Sequence, residues 1–535
     1  MRSVLAILPA LLGCQTEKFS SADAAFVAVN VFPETATLRT SPQGGDPIDF
    51  TAEGVREDGS RVVLDNVEWI LSNRSVGTID EGGTVTPSLA NGGDSWVTAR
   101  FAGLEGLATL AVAWSDTRVE GDADPALFTG AAEPLDNLWL YPEDGVNLPR
   151  NLPSLAFQWN DVGAQAYRLH FRGASTDVTV VTRDTSWTAD EALWQTITAT
   201  NAGGTVTLEL EASVGGVRYA AAARTVHVNR FDNRGSIYYW SSSASGILRV
   251  PWAGAAEPFL TAGSTGRCVG CHSISPTGVM AVTYDGGNGP MGLRDLRTGA
   301  DINTGDGSLY GNFKAFSPDG RFMAVVYAGA LRVHDAATGA ALWDVAVGET
   351  VTHVDWSPDG TMIAMTGTGS NHPMDWVIGA GRIVVMDHVG DGTFGVPRTL
   401  YAAPPGQLAY YPAFSPDGAW VAFNVSTEDG YDDATAQLWV ASVDGSTVVP
   451  LTAANQGDGL YNSWPRWGPL PDDDIMWLAF SSRRTYGNRT SGNPQVWITA
   501  FDGEAARQGA DPSWPAFWLP GQDPAQGNHI PMWVE

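Results

Sequence analysis

The sequence predicts an all-β protein, with two β-sandwich domains followed by a longer domain built on a repeat. Three observations carry this. Gly (61), Pro (32) and Trp (21) are abundant, while Leu/Ala/Glu/Lys-rich helical runs are missing. Short alternating strands separated by turn residues fill the first half. One ten-residue pattern recurs through the second half. Lysine occurs only at Lys18 and Lys314, whereas a solvated helical surface uses more. The 535 residues suffice for roughly three or four domains, and 44% apolar content is enough to bury real cores. A net charge of −29 argues against nucleic acid, whose phosphates it would repel, and against a basic patch on anionic lipid. Three cysteines, Cys14, Cys268 and Cys271, are too few for a disulfide scaffold.

The chain starts with one positive charge, Arg2, and a short apolar run to Leu12. The run falls short of the ~20 residues a membrane-spanning helix needs, but suits the core of a signal peptide. Its end, Leu11-Leu12-Gly13-Cys14, resembles the lipobox of bacterial lipoproteins. That resemblance implies a signal peptide over 1–13, cleavage before Cys14, lipidation of the Cys14 thiol and a tether over 14–27. Several acyl chains make a stable anchor where one is marginal. Gln15, rather than Asp, favours the outer membrane in the lipoprotein family. The alternative is an ordinary secretory signal with a chance cysteine. Beyond it the chain reads as a soluble exported body facing the periplasm or the cell surface.

Residues 28–115 alternate as short strands, among them Val29-Asn30-Val31-Phe32 and Val67-Glu68-Trp69-Ile70-Leu71. This stretch resembles bacterial Ig-like domains. An acidic, small-residue linker over 116–135 precedes a second β segment over 136–230, whose Trp159 and Tyr167 resemble the core pair of fibronectin type III-like sandwiches. His170 and His227 sit in alternating strand patterns and read as structural. Neither segment carries a constellation of titratable residues, so both read as spacers or adhesion modules.

The repeat organises residues 231–535. Phe316-Ser317-Pro318-Asp319-Gly320-Arg321-Phe322-Met323-Ala324-Val325 recurs from Trp356 to Met365 and from Phe414 to Phe423. Ser-Pro-Asp-Gly is turn chemistry: Pro presets φ, Asp bonds the backbone two residues on, and Gly accepts φ > 0. An apolar strand follows each turn. Weaker copies surround Trp467-Gly468-Pro469 and Pro512-Ser513-Trp514. These motifs resemble TolB-like and WD-type β-propeller repeats, which implies four-stranded blades around a channel. The first strands lack an inner partner and the last lack outer ones. Joining the two ends in one blade gives about six blades.

Cys268-Val269-Gly270-Cys271-His272 is C-x-x-C-H, the attachment pattern of c-type haem. Two thiols add across the haem vinyl groups, and the adjacent imidazole supplies the proximal iron ligand. A small disulfide, a thioredoxin-like pair without its βαβ context and a zinc site lacking a second ligand pair are the other readings. The residues Ser275-Pro276-Thr277-Gly278 match the repeat turn, so the motif occupies the segment leading into a blade. The haem is then expected on the face that carries the inter-blade loops. His529 is the first choice for the sixth iron ligand, Met532 the next, and His372 and Met374 the third. Met280 and Met323 fall at core positions of the repeat, and His353 belongs to its structure. Arg267 is placed to meet a haem propionate.

The leading functional expectation is a lipid-anchored, exported monohaem c-type cytochrome with a propeller body, carrying single electrons. The redox partner, a protein or an extracellular acceptor, is unidentified. One alternative is a scaffold whose haem is structural or sensory. Another is a haem oxidase or peroxidase with an open sixth position. No Ser-His-Asp motif of a hydrolase is present.

Overall fold

The computed structural model describes residues 26–535, apart from 253, 288, 370–375, 391, 458, 470–474 and 490–491. Cys14, the signal segment, most of the tether, His372 and Met374 therefore lie outside the described residues. The described chain is mostly β-strand and divides into two compact units, residues 26–116 with 175–177, and the described remainder. Among the described residues no helix is long and apolar enough to cross a membrane.

In the first unit, Phe26–Phe32 pairs with Thr51–Arg56 and that with Arg61–Val63. Leu104–Val119 pairs with Gly93–Phe101 on one side and runs parallel to Thr35–Ser41 on the other. Period-two alternation puts Val29, Val31, Leu38, Val97, Leu110 and Val112 inside one core. In Thr35–Ser41 each exposed residue is followed by a buried one until the strand ends.

The second unit holds both the 136–230 segment and the repeat domain. Residues 117–135, which read as a linker, belong to it: Ala123 and Phe128 are buried against Ala166 and Val181. Trp159 and Tyr167 are buried and in contact, with ring centroids 5.5 Å apart. This segment is seated firmly on the repeat domain. The Tyr141 ring stands 5.0 Å from Tyr486. The Tyr141 hydroxyl accepts from Trp518 N at 3.1 Å, and Gln158 Oε1 accepts from Asn488 N at 3.1 Å.

The repeat domain is a propeller of six sheets. Blade one is Ser236–Ser241, Gly246–Pro251 and Glu257–Thr261, completed on its inner side by the C-terminal strand Asn528–Val534. The inner strands of blades two to six are Val269–Ile274, Phe313–Phe316, Val351–Trp356, Leu408–Phe414 and Ser463–Trp467. Each inner strand neighbours the next, and blade two adjoins the closing strand, so the ring is shut. The six blades and the shared end blade agree with the repeat count. Burial falls outward: in blade two it runs from mostly buried Val279–Tyr284 to mostly exposed Asp301–Asn303.

The repeat turns explain why the strands start where they do. Ser357 Oγ donates to Asp359 Oδ1 at 2.7 Å and accepts from Met362 N at 2.9 Å, locking the turn to its strand. Gly360 takes φ 75°, a left-handed conformation that L side chains avoid. A Cβ there would stand 3.3 Å from Pro318 Cγ of the preceding blade. The same contact recurs one blade on, between Gly418 and Pro358. The turns therefore stack on one another around one face.

Candidate functional site: the C-x-x-C-H segment and the channel

Counting back three residues from the apolar residue before each turn gives Cys271, Phe313, His353, Tyr411, Trp464 and Ile530, one per blade. These side chains meet in the channel. Ring centroids are 4.4 Å apart for Phe313–His353, 4.0 Å for His353–Tyr411 and 4.1 Å for Tyr411–Trp464. Phe313, Tyr411, Trp464 and Ile530 belong to one buried cluster, and Cys271 packs against it. Backbone geometry makes this possible. His353, Tyr411, Trp464 and Ile530 have φ between 48° and 57°, each inside a register slip of its inner strand. Such bulges re-aim a side chain out of the ladder, here into the channel. In blade two the slip falls between Val269 and His272 and contains Cys271. The motif is thus only partly in a loop: Cys268 precedes the strand and is exposed, whereas Cys271 and His272 lie within it.

His272 is 5% exposed, and among the described residues neither ring nitrogen has a hydrogen-bond partner. Burial holds its imidazole at about 3, and the charges of Lys314 and Arg466 push the same way. The Tyr238 main chain, short of hydrogen-bond geometry, pulls weakly in the other direction. The ring is therefore neutral near pH 7, the form that ligates a metal. Both cysteines are free thiols. Burial raises the Cys271 thiol, against the opposing charge of Lys314. Lys314, 5% exposed in blade three, donates from Nζ to Cys271 O at 2.7 Å. Burial lowers its ammonium to about 8. Trp240 Nε1 donates to Val269 O at 2.8 Å from the other side. The motif strand is thus tied to both neighbouring blades.

The other expected residues fall as follows. Arg267 is engaged: Nε donates to Asp285 Oδ2 at 2.8 Å, Nη1 to Gly305 O at 3.0 Å, and the guanidinium covers the Tyr284 ring at 4.4 Å. His529 and Met532 both lie on the closing strand beside blade two. His529 leans toward blade six, with Nε2 3.3 Å from Ser463 Oγ, and burial holds it at about 3. Met532 leans toward blade two and packs in the cluster that contains Val269 and Ile274. Met280 and Met323 are fully buried in blade cores. His353 belongs to the channel ring, with Nδ1 3.2 Å from Thr366 Oγ1.

A haem suits this donor set on two observations. A buried imidazole with both nitrogens unsatisfied is costly, and a bond to iron would relieve one of them. Two unpaired thiols stand at the required spacing in a chain with a single further cysteine.

No family model and no curated protein matches the chain. It is similar in part to several solved structures. The putative TolB from Agrobacterium tumefaciens is 19% identical over 54% of this chain and 88% of that one, with a TM-score of 0.32. TolB from Acinetobacter baumannii is 13% identical over 62% and 80%, with a TM-score of 0.37. Dihydro-heme d1 dehydrogenase NirN is 14% identical over 54% and 55%, with a TM-score of 0.33. The propeller architecture itself rests on the six sheets and their closure.

Proposed function

We propose that the chain is an exported, lipid-anchored monohaem c-type cytochrome whose propeller carries a haem for one-electron transfer. Cys268 and Cys271 would hold the haem through thioether bonds, and His272 would be an axial ligand. The observation that carries the reading is His272 itself, buried and neutral with both ring nitrogens unpartnered, at the end of the one C-x-x-C-H in the chain. Bound haem supplies reversible Fe(III)/Fe(II) chemistry. The protein's part is to keep His272 dry and to fix the motif strand through Lys314 and Trp240. Met532 is the sixth-ligand candidate whose packing lies against the motif strand; His529 is the second. Cys14 would carry the lipid, and the body would face the periplasm or the outside. An acidic surface, net −29, suits a basic partner face.

The test is expression with a cytochrome c maturation system, followed by haem staining after denaturing electrophoresis. Covalent haem in the wild type, lost in Cys268→Ala with Cys271→Ala, is the expected result. A protein that takes up no covalent haem overturns the proposal. A six-coordinate spectrum that changes in Met532→Ala supports electron transfer with Met532 as ligand. A five-coordinate spectrum with peroxide turnover supports an oxidase instead.

A further inference from the structure

On the turn face, the channel opens into a cavity of about 580 Å³, within the usual range for small-molecule sites. Its walls are largely apolar, with Trp356, Phe414, Trp467 and Trp533 from blades four, five, six and one. Three charged residues line it, Arg466, Asp355 and Glu535, the last of which is paired with Arg234 Nε at 3.0 Å. Among the described residues only Nη1 of Arg466 is hydrogen-bonded, to Pro465 O at 3.1 Å and Pro412 O at 3.4 Å. Among the described residues, the rest of its planar fork, Nε and Nη2, has no hydrogen-bond partner. Asp355 Oδ2 accepts from Phe414 N at 2.7 Å. Burial raises the Asp355 carboxyl and lowers the Arg466 guanidinium, and each charge partly offsets the cost of the other.

From this juxtaposition of a half-used guanidinium fork and a carboxylate inside an aromatic-walled channel mouth, we infer a binding site for a small 2-amino or 2-hydroxy carboxylate bearing an apolar side group. The free edge of Arg466 matches a carboxylate, with which guanidinium forms its strongest paired hydrogen bonds. Asp355 beside it disfavours a doubly charged phosphate, because like charges in one desolvated site repel. The same carboxylate accepts from a hydroxyl or ammonium on the neighbouring carbon. The indole and phenyl walls take the side group. The site lies toward the turn end of the inner strands, away from Cys268, but Met532 is among its lining residues, so a haem held by Met532 would compete for it.

Calorimetric titration of the full chain with L-phenylalanine and 3-phenyllactate tests this, with phenylalaninamide, 3-phenylpropionate and phenyl phosphate as comparisons. Both acids are expected to bind, and more tightly than the amide and the phosphate. Arg466→Lys keeps the charge but removes the fork, and is expected to weaken both acids about ten-fold. Asp355→Asn is expected to abolish the preference of either acid over 3-phenylpropionate. Circular dichroism checks that each variant is folded; should Arg466→Lys unfold, Asp355→Asn and the wild-type ligand series decide alone. No binding by the wild type, equal binding of the amide, or unchanged binding in either folded variant overturns the inference.

Discussion

At the scale of single residues, the sharpest feature is Lys314, the one lysine among the described residues, placed in the interior with its ammonium on a carbonyl. A buried ammonium costs solvation, which is why its proton is held less tightly than in the unfolded chain: about 8 against 10.5. Between these values the unfolded chain binds a proton that the native protein does not. Unfolding therefore takes up a proton, and this residue's contribution favours folding increasingly as pH rises across that window. The stability of wild type relative to Lys314→Met should shift toward wild type by about 1.4 kcal/mol per pH unit between pH 8 and 10.5. Urea denaturation of both proteins at several pH values measures it. A difference constant across the window would show that the ammonium is solvated. The C-x-x-C-H segment could be picked out because it is a contiguous string. Lys314 could not, since its role depends on a neighbouring blade brought within 2.7 Å by the closed ring. Arg267 shows the same limit: its partners Asp285 and Gly305 lie 18 and 38 positions away.

At the scale of elements, the turn is the unit that the sequence shows most plainly, because its chemistry is local. Ser357 serves its own strand through Met362 N, and Asp359 serves Thr361 N at 2.9 Å, all within six residues. Ser357→Ala should cost about 1 kcal/mol, the usual loss for one such hydrogen bond. Gly360→Ala should cost more. It forces a left-handed alanine, about 1–2 kcal/mol, and also presses on Pro318 across the blade boundary. Gly348, at φ 85° with open space where a Cβ would stand, isolates the backbone part. Thermal unfolding of Gly360→Ala and Gly348→Ala should therefore differ, with the Gly360 variant the less stable. Equal losses would mean that the turns do not support one another around the face. The inner-strand bulges were harder to see. The channel residues, from Cys271 to Ile530, share a position but no residue type, and only His353, Tyr411, Trp464 and Ile530 share the left-handed backbone conformation. The surviving trace is a proline after three of them, at Pro412, Pro465 and Pro531.

At the scale of the whole molecule, closure decides stability. The inner strand of blade one comes from the far end of the chain. Asn528–Val534 pairs with Ser236–Ser241, and Trp533 Nε1 donates to Arg234 O at 2.9 Å across 299 positions. Pairing so distant in sequence forms late and slowly, because a long loop must close before any contact rewards it. Closure also supplies Ile530 to the channel plug and Met532 to the seam against blade two. The six-blade count could be foreseen from the missing inner partner at one end and the missing outer strands at the other. The plug could not, since it exists only once six strands converge. Removing residues 528–535 should leave Ser236–Ser241 as an open apolar edge, which templates aggregation. The truncated chain is expected to lose its cooperative thermal transition and to elute as aggregate, whereas Met532→Leu, which keeps the strand and its bulk, stays monodisperse. Size-exclusion chromatography with near-ultraviolet circular dichroism distinguishes the two. A truncated chain that keeps the wild-type midpoint would show that the propeller holds together through its other five inner strands and the turn ring alone.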